Sequence, residues 1–281
     1  MFRNLSPEAI NINRILIEKL RLAKIGNFEG MDISVSEFID FAENISRVRT
    51  LFESFGIKIG GWILPFNIGD REEKFNAGFE KLKDYLKFAK DISAFRIYTY
   101  FLPFSDEIPF KENYILHKER TKKICELMEK YECKLGIEFI GTDSFRRNHK
   151  YEFIWNFQQM IEFIEDVKME NLGILIDSWH LYSSDGKHQD IKKLKGEKII
   201  CVHVNDAPPI SKKDLKDDEK FLPGETGVID IVGLLKVLKE IGYDGPITPE
   251  PFNKRITELP DEIAVRLVGG YLLKIWEKAF K

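Results

Sequence analysis

Cysteines and long apolar runs are scarce in this sequence, and each scarcity argues against a class of protein. The three cysteines, Cys125, Cys133 and Cys201, are an odd number without zinc-type spacing. Neither a disulfide framework nor a cysteine zinc site is therefore expected. No apolar run is long enough to cross a membrane, and the N-terminus lacks the apolar segment of a signal peptide. We expect a cytoplasmic protein without a membrane partner.

A strong charge imbalance is also missing. The formal net charge is −3 over 281 residues, so no broad basic surface is present to attract nucleic acid, and no nucleic-acid partner is expected. No Gly-x-Gly-x-x-Gly turn follows any apolar run, which argues against a dinucleotide-binding sheet. The hydrophobic fraction of 43% still supplies enough apolar surface for a sizeable core.

The sequence does contain a regular alternation of short apolar runs and amphipathic helical patterns. Seven such runs are readable, and residues 2–5 supply a very short eighth. No linker-like break interrupts them. The pattern predicts an α/β fold, a single (β/α)8 TIM barrel over residues 1–281 with a short or degenerate first strand. The alternative is an open doubly wound sheet.

The helical patterns predict where several helices begin and end. The first is predicted to start with Ser6 as its N-cap and Pro7 in its first turn, and to reach about residue 22. A polar segment, 211–220, interrupts the alternation before a later helix. Other helices are predicted at 36–55, 151–168 and 190–195.

Four side chains that commonly bind metals lie at or just after the ends of four apolar runs. Gly-Ile-Glu-Phe-Ile contains Glu138, Gly-Ile-Leu-Ile-Asp ends at Asp177, Ile-Ile-Cys-Val-His ends at His203, and Pro-Ile-Thr-Pro-Glu ends at Glu250. A buried ionised carboxylate is costly unless it is paired or bound to a metal. Because the carboxyl ends of barrel strands meet at one face, we predict that the four side chains share a site.

Three carboxylates and one imidazole form an oxygen-rich ligand set. It favours a divalent metal ion, with Mn²⁺ as the first choice and Mg²⁺, Co²⁺, Fe²⁺ or Zn²⁺ as alternatives. Such an ion would stabilise the enediolate that forms when a proton next to a carbonyl leaves. Glu138 and Glu250 are the candidate acid/base pair. The structural alternatives are an ion pair for either glutamate, a helix cap for Asp177 and a hydrogen-bonded core histidine for His203.

The motifs around these residues resemble the sugar phosphate isomerase/epimerase family of xylose-isomerase-like TIM barrels, a group related to AP endonuclease family 2. The resemblance runs from about Gly136 to the C-terminus, although the first strand is barely present and Gly-Glu-Thr-Gly is one residue longer than in the relatives. The segments that carry it are Gly-Ile-Glu-Phe-Ile-Gly-Thr-Asp-Ser-Phe-Arg (136–146), Asp-Ser-Trp-His (177–180), His-Val-Asn-Asp-Ala-Pro (203–208), Leu-Pro-Gly-Glu-Thr-Gly-Val-Ile-Asp (222–230) and Gly-Tyr-Asp-Gly-Pro-Ile-Thr-Pro-Glu (242–250).

The resemblance implies metal ligation by Glu138, Asp177, His203 and Glu250, with the two glutamates as the acid/base pair. It further implies substrate contacts from His180 and Arg146. Related barrels often pair through their outer faces, so a homo-oligomer is expected.

The structural alternative for His180 is a surface or capping histidine. The structural alternative for Arg146 is a solvated loop cation. Asp206 is expected either to orient a ligand or substrate or to form a local turn. The loop 223–227 either cradles a phosphate or is only a tight turn.

The expected function is that of a divalent-metal-dependent isomerase or epimerase of a small carbohydrate, sugar phosphate or hydroxy-keto compound. A dehydratase of a keto-inositol or related polyol would use the same site. An abasic-site endonuclease is a weaker alternative, since its metal cluster needs several more histidines than the strand ends provide. A non-catalytic sugar-binding barrel is the remaining alternative, which the presence of both Glu138 and Glu250 disfavours.

Overall fold

The computed structural model describes residues 1–38 and 44–281, with the side chains of residues 44 and 45 left out. The described strands are β1 (Phe2–Leu5), β2 (Gly30–Met31), β3 (Lys58–Ile59), β4 (Trp62–Ile63), β5 (Arg96–Phe101), β6 (Phe104–Ser105), β7 (Lys134–Phe139), β8 (Tyr151–Glu152), β9 (Leu172–Asp177), β10 (Ile199–Val204) and β11 (Pro246–Pro249). The described α-helices are α1 (Leu16–Ile25), α2 (Asn44–Phe55), α3 (Glu72–Asp91), α4 (Phe110–Glu129), α5 (Phe157–Val167), α6 (Ser178–Ser183), α7 (His188–Ile191), α8 (Ile231–Glu240), α9 (Lys254–Thr257) and α10 (Asp261–Phe280).

A parallel sheet forms the centre of the molecule and closes on itself. Within the described ranges its strand order is β3-β2-β1-β11-β10-β9-β7-β5-β4. The two edge strands, β3 and β4, are separated in sequence only by Gly60 and Gly61, so both edges belong to one stretch of chain. Backbone bonds from Gly60 N to Met31 O (2.9 Å) and from Leu64 N to Tyr98 O (2.8 Å) continue the two ladders. The fold is therefore the predicted TIM barrel.

The short first strand is confirmed. β1 has four residues, yet it pairs in parallel with both β11 and β2. Asn4 on this strand is fully buried and donates hydrogen bonds to Asp32 and Thr248 on either side. Side-chain bonds across the neighbouring strands therefore support the short ladder.

Two glycines allow the strands that carry site residues to pack inside the barrel. Gly136 of β7 and Gly173 of β9 are register partners, and both lie against Ile200 of β10. A Cβ atom on Gly136 would lie 2.8 Å from the Ile200 Cβ, and one on Gly173 would lie 2.2 Å from Lys198 O. Larger residues would therefore push apart the three strands on which Glu138, Asp177 and His203 lie.

Several helix predictions were wrong in detail. The predicted helix from Ser6 is a 3-10 turn at Glu8–Ile10 followed by α1, which begins only at Leu16. Pro7, not Ser6, is the N-cap of that turn, and it makes no side-chain capping bond. The apolar spacing of 6–22 does not distinguish one helix from two helical pieces joined by an extended link.

The helix predicted at 36–55 is present as α2 from Asn44, after a 3-10 turn at Val35–Glu37, and residues 39–43 of that prediction lie outside the described part of the chain. The helix predicted at 151–168 is shorter, since residues 151 and 152 form β8, which pairs antiparallel with β6. The short helix predicted at 190–195 lies at His188–Ile191, and α6 had been missed because it starts directly after β9.

None of the helices in the described ranges has the length and apolarity that crossing a membrane requires.

Candidate metal centre

The barrel brings together the four predicted ligands. Glu138 is the penultimate residue of β7, Asp177 ends β9, His203 lies in β10, and Glu250 follows β11. One ligand atom from each of the four residues lies within 4.8 Å of the others. Because the strands are parallel, their carboxyl ends share one edge, and Asp177 and His203 are direct register partners.

The unsatisfied polar atoms of this group fit a metal ion. Glu138 Oε1 and both ring nitrogens of His203 are buried and lack a hydrogen-bond partner among the described residues. His203 Nδ1 lies 3.2 Å from Glu250 Oε2 and 3.9 Å from Glu138 Oε1, without the alignment of a hydrogen bond. Buried acceptors without donors are costly, and a divalent cation is the kind of group that three carboxylates and an imidazole would hold.

Burial and mutual repulsion shift the pKa values within the group. Burial, followed by the nearby carboxylate of Glu250, raises the pKa of Glu138 well above its usual range. Burial alone would lower the pKa of His203, but the carboxylates of Glu250, Glu138 and Asp177 outweigh it and raise that pKa to about 9. The group therefore holds protons that a cation would have to displace.

Asp177 is the most firmly held member of the group. Its Oδ1 accepts hydrogen bonds from Trp179 N at 2.8 Å and from Asn205 Nδ2 at 3.3 Å, while Oδ2 accepts from Lys220 Nζ at 2.9 Å. Burial would raise the pKa of Asp177, but Lys220 and the nearby histidines lower it well below its usual value. The helix-cap alternative is therefore also present in the structure, since the Trp179 bond caps α6.

Lys220 is a member of the site that sequence reasoning missed. It is 2% exposed, and its ammonium group also lies 3.7 Å from Glu250 Oε2. Burial would lower the pKa of Lys220, but Asp177 and Glu250 raise it above its usual value, so the group is a fixed cation. Lys220 ends a charged segment, which is typical of a solvated loop. The only sequence signal that the chain becomes buried here was the apolar pair Phe221 and Leu222, which follows Lys220.

Asn205 is a second missed residue. Its Oδ1 accepts a hydrogen bond from Glu250 N at 3.0 Å, while its Nδ2 lies 3.3 Å from Asp177 Oδ1. One buried amide therefore fixes the positions of two of the four ligands. Its place two residues after His203 was the available signal, since alternate residues of an extended segment share a face.

His180 lies beside the four convergent side chains Glu138, Asp177, His203 and Glu250, called the metal group below. It is 2% exposed, and its Nε2 is 4.0 Å from Asp177 Oδ2 and 3.8 Å from Asp217 Oδ2. Burial lowers the pKa of His180, with Asp217 opposing it. A neutral imidazole at this place can both donate and accept a hydrogen bond, so its substrate contact stays a prediction.

Asp217 fastens the polar segment 211–220 over this side of the site. Its Oδ1 accepts hydrogen bonds from Thr142 Oγ1 at 2.6 Å and Trp179 Nε1 at 3.0 Å. Thr142 follows β7 and Trp179 lies in α6, so one carboxylate joins the segment 211–220 to the loop after β7 and to α6. The segment was predicted only as an interruption, but it positions both Asp217 and Lys220.

Arg146 is held in a different environment. Its guanidinium lies 3.7 Å from the centre of the Trp155 ring, and its nearest carboxylates, on Asp143 and Glu152, are both 3.5 Å away. Its Nε is buried and without a partner in the described part of the chain. Aromatic stacking thus accounts for most of its surroundings, and the predicted substrate contact remains a prediction.

The Asp206 carboxylate binds a loop that lies 20 to 23 residues further along the chain, so its role is not confined to a local turn. Its Oδ2 accepts hydrogen bonds from Thr226 N and Gly227 N at 2.9 and 2.6 Å, and its Oδ1 accepts from Ile229 N at 2.9 Å. The loop 223–227 therefore directs two of its amides to an internal carboxylate. A phosphate cradle would need those same amides, so the tight-turn alternative describes this loop.

Several curated proteins and solved structures are similar to this chain. Over 163 residues it is 27% identical to inosose isomerase from Bacillus licheniformis, covering 58% of this chain and 56% of that protein. Over 259 residues it is 24% identical to 3-dehydroshikimate dehydratase from Pseudomonas aeruginosa, covering 91% of this chain and 39% of that protein. The matches to four inosose isomerases span between 50 and 64% of those proteins' own lengths.

Solved structures match the whole chain. A xylose isomerase domain protein from Alicyclobacillus acidocaldarius superposes with a TM-score of 0.86 at 26% identity, covering 99% of both chains. An IOLI protein described as binding a zinc atom gives 0.83 at 22% identity, covering 100% of both. The family model of the xylose isomerase-like TIM barrel matches residues 20–267. The chain belongs to the xylose isomerase-like TIM barrel family.

Proposed function

We propose that the protein is a divalent-metal-dependent isomerase or epimerase that moves a proton next to the carbonyl of a small polyhydroxylated substrate. The observation that carries this proposal is the convergence of Glu138, Asp177, His203 and Glu250, whose ligand atoms lie within 4.8 Å of one another. The similarity to inosose isomerases supports a keto-polyol as the substrate class.

The two glutamates are suited to proton transfer. Both lie beside His203, with Oε1 of Glu138 3.9 Å and Oε2 of Glu250 3.2 Å from its Nδ1. In the proposed reaction one carboxylate removes the proton next to the carbonyl, and the other returns a proton at its destination. Repulsion within the pair favours holding one proton, so one member can act as a base while its partner acts as an acid.

The metal ion would be held by the four convergent side chains. When bound, a divalent ion supplies electrostatic stabilisation of the negative charge that develops on the substrate oxygen. The oxygen-rich ligand set favours Mn²⁺, with Mg²⁺, Co²⁺, Fe²⁺ and Zn²⁺ as alternatives. Lys220 Nζ lies 3.7 Å from Glu250 Oε2, so it adds a fixed positive charge beside the same centre. His180 would orient a substrate hydroxyl from the Asp177 side.

A dehydratase that uses the same site is the second candidate. The observation that favours it is the similarity to 3-dehydroshikimate dehydratase, which extends over 91% of this chain. Removal of a proton next to a carbonyl is a step that the two reactions share. They differ in whether the proton returns or a neighbouring hydroxyl leaves as water.

Deuterium exchange followed by NMR in D₂O tests both candidates. The Mn²⁺-loaded protein would be incubated with ketoses, ketose phosphates, hydroxypyruvate and keto-inositols. Exchange at a carbon next to the carbonyl, lost on adding a chelator, is the expected result. Loss of water without return of the proton would establish the dehydratase. If protein shown to contain metal exchanges no proton in any of these compounds, the isomerase proposal fails for this substrate class.

A further inference from the structure

A small cavity lies at the carboxyl-terminal ends of β1 and β2. Its lining includes Ser6, Glu8, Asp32, Ser34 and Tyr98. Its volume is about 20 Å³, which is room for one water molecule or one hydroxyl group. The cavity can therefore receive a single polar group of a larger ligand.

The cavity and the metal group are neighbours across Tyr98. The Tyr98 ring meets the imidazole of His203 edge-on, with 5.4 Å between the ring centres. On the other side Asn4 Nδ2 donates to Thr248 Oγ1 at 3.0 Å, and Thr248 is the register partner of His203. The cavity and the metal group are therefore linked through the Tyr98 ring and through the bond between Asn4 and Thr248.

Asp32 is the group in this cavity whose hydrogen bonding is incomplete. Its Oδ1 accepts from Asn4 Nδ2 and from Gly61 N, both at 2.8 Å. Its Oδ2 is buried and has no partner among the described residues, and the residue is 8% exposed. Burial raises the pKa of Asp32 to about 7, even though the bond from Asn4 lowers it. An unpaired buried carboxyl oxygen is costly, so its presence needs an explanation.

Closure of the barrel explains the hydrogen bonds of only one of the two carboxyl oxygens of Asp32. Asp32 packs against the turn between β3 and β4, where a Cβ atom on Gly60 would lie 2.5 Å from its Oδ1. The bonds from Asn4 and Gly61 both go to that same oxygen. The amide oxygen of an asparagine would accept both bonds, so closure does not account for the second carboxyl oxygen.

We propose that this cavity is a hydroxyl-recognition subsite, in which Asp32 hydrogen-bonds a hydroxyl group of a polyhydroxylated substrate held at the metal group. The substrate class rests on the proposed function. The subsite selects molecules that carry at least one further hydroxyl group, in addition to the two oxygens that lie nearest the metal group. It would therefore distinguish a cyclic polyol from a simple hydroxy-carbonyl compound.

The test measures binding of two unreactive probes to Mn²⁺-loaded protein by calorimetry. myo-Inositol carries hydroxyls around its whole ring, whereas trans-1,2-cyclohexanediol offers only one vicinal pair. We expect the wild type to bind myo-inositol at least about tenfold more tightly, the difference made by one good hydrogen bond. D32N should remove that preference and leave binding of the diol within about twofold of the wild type.

Two further variants keep the test decisive. S6A removes a hydroxyl from the cavity without altering Asp32, and like D32N it should weaken the binding of myo-inositol. D91N, at the exposed end of α3, is the control and should change the binding of neither probe. Equal affinity of the wild type for both probes, no binding of myo-inositol, or equal weakening of both probes in D32N would each overturn the proposal. Neither probe has to react, so failure here is distinct from failure of the exchange assay.

Discussion

At the scale of single residues, the acid/base assignment makes the sharpest prediction. E138Q and E250Q each keep the size of the side chain but remove its ability to take a proton. We expect each to lower the rate of deuterium exchange by about 100- to 10 000-fold. The rate is measured by NMR on protein whose metal content has been determined.

The matched control is E170Q, because the Glu170 side chain is 98% exposed and pairs only loosely with Lys198 at 3.4 Å. Its exchange rate should equal that of the wild type. Near-normal turnover in either E138Q or E250Q, with metal still bound, would show that the two-base scheme is wrong.

Lys220 makes a second prediction at this scale. Once the three carboxylates are ionised and the imidazole is neutral, as ligation requires, the group and the buried ammonium of Lys220 carry two net negative charges, which a divalent ion would neutralise. K220M removes the cation that repels the metal, so we expect metal affinity to rise by about tenfold or more. Competition against a chelating dye measures it. K220R, which keeps the charge, should stay near the wild type, and weaker metal binding in K220M would contradict the assignment.

The site was predictable from sequence where a residue followed a strand, and it was not predictable where it came from a loop. Glu138, Asp177, His203 and Glu250 could be found because parallel strands align their carboxyl ends. Lys220 could not, because its approach to Asp177 depends on the path of the segment 211–220. Sequence patterns describe local periodicity, and this segment has none.

At the scale of elements, the Asp217 carboxylate is expected to be a main anchor of the segment 211–220, beside the bonds that Ser144 makes to Leu215 and Lys220 makes to Asp177. Asp217 accepts hydrogen bonds from Thr142 and Trp179, while Asp218, its neighbour, is exposed. D217A removes both bonds and should accelerate backbone hydrogen exchange across this segment by about thirtyfold, since the two bonds together contribute roughly 2 kcal/mol. Mass spectrometry of the peptides that cover it would report the change.

D218A is the control for this prediction, and its exchange should match that of the wild type. If D217A exchanged no faster than D218A, the Asp217 carboxylate would not be an anchor of this segment. Strand and barrel peptides should exchange alike in both variants, because neither change reaches the sheet.

Element boundaries show which physical signals sequence patterns contain. The apolar runs at 134–140, 172–177 and 198–204 predict β7, β9 and β10 to within one residue, because a strand buried on both faces has a continuous apolar sequence. The pairing of β8 with β6 was missed, since two-residue strands have no period to detect. The start of the first helix was also misplaced, because Ser6 and Pro7 are equally suited to a 3-10 turn.

At the scale of the whole molecule, closure of the barrel and assembly of the metal group are one event. Glu138, Asp177, His203 and Glu250 come from four strand ends, so the group exists only when those strands are in register. Metal binding should therefore stabilise the folded barrel against unfolding by about 2.7 kcal/mol at a metal concentration one hundred times the dissociation constant.

That stabilisation should depend on pH, with a defined sign. Because the pKa of His203 is raised from 6.5 to about 9, this residue adds stability to the metal-free barrel that is fully present below pH 6.5 and is lost as pH rises towards 9. The raised pKa of Glu138 acts in the same direction, since its protonated form is favoured in the folded barrel. Metal ligation requires a neutral imidazole and ionised carboxylates, so binding releases protons. The difference in melting temperature between Mn²⁺-loaded and metal-free protein should therefore widen from pH 6 to pH 8. Calorimetry in buffers of different ionisation enthalpy should detect the released protons. A difference that stays constant, or binding without proton release, would contradict His203 as a ligand.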